Sequence, residues 1–175
     1  EIGENTKAYL GKLEPDIFYK IQQHKIEQVF TSFPEGKIRK FETTIGGKTA
    51  EQLQGELEEK CVNLTRYAEY MLKSKDFVTQ SKSEQITLVR LKVGDLGFRN
   101  GATTDEIYQK AQEFGLELCP AEVGPNLRIQ YLTQPLGEYF WVAMKQITDR
   151  DGNPRVFGLV RYGDGLWLCD GWAGP

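Results

Sequence analysis

The chain has 175 residues, of which 39% are apolar and 11% aromatic, enough for one good-sized core and too apolar for a disordered chain. Its net charge of −3 disfavours non-specific binding to nucleic acid or to a membrane surface. No apolar run approaches the roughly 18 residues that a membrane span needs. The three cysteines (Cys61, Cys119, Cys169) form no C-x-x-C pair, and His24 is the single histidine. A disulfide framework and a zinc site are therefore not expected, and a reducing, cytoplasmic setting is. The chain starts at Glu1 without methionine, which leaves room for a removed N-terminal segment.

In chain order, Pro15 and Asp16 read as the opening of a helix that carries Ile17, Phe18 and Ile21 on one face. Ile26, Gln28 and Phe30 alternate with their neighbours as a short strand would. Pro34-Glu35-Gly36 is a turn, and residues 37–45 form a strand anchored by Ile38, Phe41 and Ile45. Thr49 and Gln52 make a capping box for a helix with Leu53 and Leu57 on one side. A second helix is expected from Leu64, with Asn63 as its N-cap and Tyr67, Ala68, Met71 and Leu72 at helical spacing.

Residues 87–93 alternate as a half-buried strand. Thr103 and Glu106 cap a third helix, with Ile107, Ala111 and Phe114 as its buried stripe and Gly115 at its end. Residues 116–118 resume as a short strand, and Pro120 and Pro125 bracket a loop. Residues 127–131 alternate again. Three strands close the chain, over 139–145, 155–162 and 166–169, with turns at Asp151-Gly152 and Gly163-Asp164-Gly165. A last exposed strand is unusual, so the natural protein is expected to continue beyond Pro175.

The run from Leu88 to Gly97, the segment from Gly101 to Tyr108, the segment from Gly115 to Pro125 and the Asp151-Gly152 hairpin together resemble a group of uncharacterised bacterial proteins of about this size. The resemblance spans residues 30–172. It implies a bacterial protein built as one module. That group has no assigned activity, so the resemblance implies no chemistry.

Several motifs invite a chemical reading. Gly47-Lys48-Thr49 looks like the end of a phosphate-binding loop, but the glycine that the motif requires five positions earlier is Glu42, whose charge opposes a phosphate. Asp149-Arg150-Asp151-Gly152 looks like a calcium loop, but its glycine is at position 4 rather than 6 and its twelfth residue is Val160. A Cys119–His24 nucleophile has no support beyond the presence of both residues. Glu117, Glu122 and Glu138 are candidate carboxylates. Glu122 draws most interest, because it lies in a Pro/Ala/Gly loop with no helix to decorate; the bland reading is capping or pairing with Arg128. On strand 139–145, Tyr139, Trp141, Ala143 and Lys145 share a face with contact-surface composition, with Arg128, Gln130 and Arg161 placed beside it. The competing reading is that this face is covered and belongs to the core.

The expected architecture is thus a single α+β domain over 1–175, with 1–32 as an N-terminal appendage. An antiparallel sheet of five or six strands, mostly from 87–170, is packed on one side by helices at 49–60, 64–74 and 103–114. The expected function is a binding or interaction module for a protein or small polar ligand. Its site is the aromatic sheet face or the loop 120–125, through Glu122, Arg128, Gln130, Tyr139, Trp141 and Lys145. The alternative is a small hydrolase built on Glu122 with Glu138 or Cys119. No cofactor, metal, nucleic acid or membrane enters either reading, and the oligomeric state stays open.

Overall fold

The computed structural model describes residues 16–33 and 37–174. These residues form one mixed sheet of eight strands: β1 (Asp16–Ile21), β2 (Arg39–Ile45), β3 (Asn63–Leu64), β4 (Glu84–Lys92), β5 (Tyr139–Val142), β6 (Ile147–Thr148), β7 (Pro154–Tyr162) and β8 (Gly165–Trp172). Five α-helices accompany them: α1 (Ile26–Thr31), α2 (Ala50–Glu59), α3 (Arg66–Leu72), α4 (Thr104–Glu113) and α5 (Val123–Gln130). The strand order is β2-β4-β1-β5-β7-β8-β3, with β6 also on β7. β1 runs parallel to β5 and β3 parallel to β8; the other pairs are antiparallel.

This corrects the expected antiparallel sheet of five or six strands with three helices. β1, β2 and β3 all precede residue 65. β1 was expected as a helix because Ile17, Phe18 and Ile21 fit one helical face. It is instead a central strand whose Ile17, Phe18 and Tyr19 are all fully buried, so period-2 alternation is lost. β4 is likewise buried on both sides from Ile86 to Leu91, rather than half-buried. The expected strand at Ile26, Gln28 and Phe30 is α1, whose buried residue is Val29. Asn63 does not cap a helix. It pairs with Trp167 as part of β3, and the Thr65 hydroxyl caps α3 by accepting from Ala68 N–H at 3.3 Å.

The helices do not share one side of the sheet. Phe18 and Tyr19 are neighbours on β1 and point to opposite faces. Phe18 meets Phe41 and Phe140 edge-on at 5.2 Å, and Phe41 in turn meets Tyr131 at the end of α5. Tyr19 lies near Tyr108 of α4 and near Cys119. The Tyr108 hydroxyl donates to Met144 O at 2.8 Å and accepts from Met144 N–H at 3.1 Å, which fixes α4 to the sheet. α5 and α4 therefore cover opposite faces, and α2 packs on α5.

Local signals set the helix ends. Both capping boxes are complete, Thr49 with Gln52 and Thr103 with Glu106. α2 ends in a Schellman motif: Val62 N–H donates to Leu57 O at 3.0 Å and Cys61 N–H to Glu58 O at 2.9 Å. The left-handed position of that motif holds Cys61, with φ of 54°, rather than glycine. Cys61→Gly removes a Cβ from this conformation, at the expense of added freedom in the unfolded chain. We expect it to stabilise the protein by about 0.5–1 kcal/mol, read as a higher urea midpoint; a lower midpoint would show that the Cys61 side chain contributes packing of its own.

Candidate functional site

Three segments distant in sequence meet beside the start of α5. The first is the Gly46-Gly47 turn that ends β2. Gly46 has φ of 78°, and a Cβ there would lie 2.0 Å from the Lys82 carbonyl oxygen, so only glycine fits this turn. The second is the irregular segment 77–80, whose Gln80 carbonyl accepts from Gly47 N–H at 2.9 Å. The third is the turn from Pro120 to Glu122 that leads into α5.

Glu122 joins them. Its side chain is fully buried, and its carboxylate accepts from Gln80 N–H at 2.8 Å, from Gly46 N–H at 2.9 Å and from Asn126 Nδ2 at 3.4 Å. The loop expected from Pro120 to Pro125 is a turn over 120–122 followed by the first helical turn of α5 from Val123. Pro125 is tolerated there because the first-turn amides need no intrahelical acceptor. The expected strand 127–131 is the rest of that helix to Gln130, with Tyr131 as its C-cap.

Beside Glu122 opens a cleft of about 560 Å³. Pro120, Ala121 and Glu122 form its floor; Lys75, Val78 and Thr79 stand on one wall, and Lys145, Ile147 and Thr148 on the other. Lys75 and Lys145 are exposed, and Val78 keeps 70% of its surface open. Cys119 also borders the cleft but is buried; its thiol donates to Phe18 O at 3.5 Å, and burial pushes its pKa far above the usual thiol range. A thiol kept protonated is a poor nucleophile. His24, the proposed partner, is exposed while Cys119 is buried.

Of the residues singled out in the sequence, Glu122, Lys145 and the buried Cys119 share this cleft. The others sit elsewhere. Arg128 is fully buried. It donates to Gln134 Oε1 at 2.5 Å, to Tyr131 O and to Trp167 O at 3.5 Å, and burial lowers its pKa to about 10. Gln130 locks the edge strand β2: its side-chain oxygen accepts from Thr44 N–H at 2.9 Å, and its side-chain nitrogen donates to Thr44 O at 2.7 Å. Arg161 donates to Gln134 O at 2.9 Å. Glu117 accepts from Gln22 at 2.7 Å, and Glu138 faces Arg90 rather than Glu122. Trp141 is 4% exposed and Ala143 is fully buried, while Tyr139 meets Trp141 edge-on at 6.2 Å and stays 38% exposed.

Lys75, Val78 and Thr79 escaped sequence reasoning because they lie in a polar stretch that reads as plain loop. The one available signal was Val78, an apolar residue with no periodic partner. Among the described residues, no group of three or more His, Cys, Asp or Glu could hold a metal ion, and no helix is long and apolar enough to cross a membrane. No family model, no curated protein and no solved structure matches the chain.

Proposed function

We propose that this chain is a binding module whose ligand site is the cleft between segments 75–80 and 145–148. The observation that carries the reading is the open volume of about 560 Å³ beside a floor fixed by Glu122. That volume falls within the range of about 300–1,000 Å³ typical of small-molecule sites. A floor held by buried hydrogen bonds is preorganised, so little ordering cost falls on binding. Lys75 and Lys145 offer two exposed cations to an acidic group, against one exposed carboxylate, that of Asp76, while Val78 and Pro120 offer apolar surface to the remainder. A small amphipathic carboxylate fits this chemistry.

The hydrolase reading lacks a comparable observation. Glu122 is committed to three hydrogen bonds, and the neighbouring Cys119 is a buried, protonated thiol.

The test is a carboxylate fragment library followed by amide shifts in the nitrogen-15 spectrum. Binding should move the amides of Val78, Thr79, Gln146 and Thr148 saturably. Lys145→Glu should weaken the best fragments by about tenfold, a loss of about 1.4 kcal/mol, with an unchanged melting temperature. Shifts scattered over the surface, or affinities indifferent to Lys145→Glu, would remove the cleft as a ligand site.

A further inference from the structure

A second hollow lies at the far end of the central strands, independent of the cleft. Its lining is Asp16, Lys37, Arg39, Arg90, Lys92 and Asp95, around a volume of about 150 Å³. Four cations therefore face two carboxylates.

Arg90 is the built part of this site. It is 4% exposed, and its guanidinium is wedged against two rings, 4.7 Å from the Phe140 centroid and 5.3 Å from that of Phe41. These contacts fix the plane of the guanidinium. Its nearest carboxylates are imperfect partners: Asp16 Oδ2 is 3.4 Å from Nε, and Glu138 Oε2 is 4.0 Å from Nη1. Neither nitrogen makes a hydrogen bond, although the side chain also contacts the Tyr131 hydroxyl. Both nitrogens are closed to solvent and each faces a carboxylate without bonding it well, so an incoming acceptor reaches the guanidinium by displacing Asp16, the partly exposed partner that lines the hollow.

The surrounding charge agrees. Arg39 on β2 is directly opposite Arg90 on β4. Like charges in that register lie about 5 Å apart at Cβ and destabilise the pair. Arg39 and Lys37 form no ion pair among the described residues, whereas the next cation on β2, Lys40, is paired with Glu42 at 2.9 Å. Asp16 and Asp95, the latter held by Lys92 N–H at 3.0 Å, offset only half of the positive charge and leave the hollow with a formal excess of two cations. A compact dianion would relieve the Arg39–Arg90 repulsion.

We propose that this hollow binds the phosphate group of a small phosphomonoester, with Arg90 as the fixed fork and Arg39 and Lys37 closing over it. Arginine and lysine recognise such a group by charge-assisted hydrogen bonds, the planar guanidinium by two at once.

The experiment titrates the full chain with inorganic phosphate, adenosine monophosphate and adenosine at constant ionic strength, so that screening does not change. Binding is read by calorimetry and by the amide shifts of Arg39, Phe41, Arg90 and Leu91. Both phosphate-bearing probes should bind saturably below ~10 mM, and adenosine should not. A tighter affinity for the monophosphate than for phosphate identifies an ester as the natural form; equal affinities identify free phosphate, which overturns the ester. The double variant K37E/R39E places its changes at exposed positions and should lose about tenfold in affinity with an intact melting transition. If the double variant does not fold, R39Q alone carries the test and should weaken binding several-fold. Lys145→Glu, in the cleft, should leave phosphate binding unchanged, which separates failure of this site from failure of the cleft. Flat titrations, adenosine binding as well as its monophosphate, or undiminished phosphate binding in the Arg39 variants would overturn the proposal.

Discussion

Trp141→Ala is expected to lower the stability of the protein by about 3–5 kcal/mol. The indole lies across the sheet over two strands that have no side chain at the contact. A Cβ at Gly158 on β7 would sit 2.6 Å from Trp141 Cε3, and one at Gly171 on β8 would sit 2.6 Å from Cζ3. Gly158 is also the register partner of Trp141. The two glycines make a trough that the ring fills, and they have nothing with which to refill it. Truncation therefore leaves a cavity that cannot collapse by side-chain motion, the condition under which large-to-small substitutions cost most. Urea unfolding should show the loss as a lower midpoint with little change in slope. The same trough predicts that Gly158→Ala is harmful through overlap rather than void. A wild-type midpoint for Trp141→Ala would return this ring to the surface and revive the aromatic face as a contact area.

Features written locally were legible. The two capping boxes need only residues three apart, and both form. The β7–β8 hairpin needs a glycine-rich turn between two apolar runs, and its register continues from Arg155–Trp172 to Tyr162–Gly165. Parallel pairing leaves no such local trace, because β1 and β5 meet from opposite ends of the chain. β1 is buried on both faces, and without alternation its apolar residues fitted a helix equally well. α5 misled for a different reason. Leu127 and Ile129 are buried, but so is the charged Arg128 between them, because carbonyl oxygens and Gln134 accept from both of its Nη groups, although its Nε makes no hydrogen bond. A polar residue that belongs to the core imitates the polar phase of a strand.

The candidate site was legible only in part, for the same physical reason. Glu122 stood out as a charge without a helix, yet it opens one. Its partners lie 76 and 42 residues away, at Gly46 and Gln80, and no spacing rule connects them. Lys145 was picked for its place on an aromatic face that is largely core. It lines the cleft instead because the chain leaves β5 at Val142, before the lysine is reached.

Glu122→Ala should cost about 2–6 kcal/mol, because two buried or half-buried backbone donors lose their acceptor at about 1–3 kcal/mol each. Those donors are Gly46 N–H and Gln80 N–H; the Gly46 turn keeps the Gln130–Thr44 bonds of the adjoining β2 to α5, so the 77–80 segment should loosen more. Glu122→Gln is the sharper probe. The amide keeps the shape and one acceptor oxygen, but its nitrogen is a donor and must face either Gly46 N–H or Gln80 N–H. One bond becomes a donor–donor clash, so a smaller loss of about 1–3 kcal/mol is expected. Amide hydrogen exchange locates the effect. Gly46 and Gln80 should exchange faster in both variants, while the Leu88 and Val89 amides in the sheet centre should change only with global stability. A carboxylate kept for acid–base chemistry gives the opposite pattern, with wild-type stability and exchange in Glu122→Gln. The three acceptor bonds make Glu122 the staple of the cleft floor, so its replacement should loosen the Gly46 turn and, more strongly, the 77–80 wall, and weaken ligand capture through that wall.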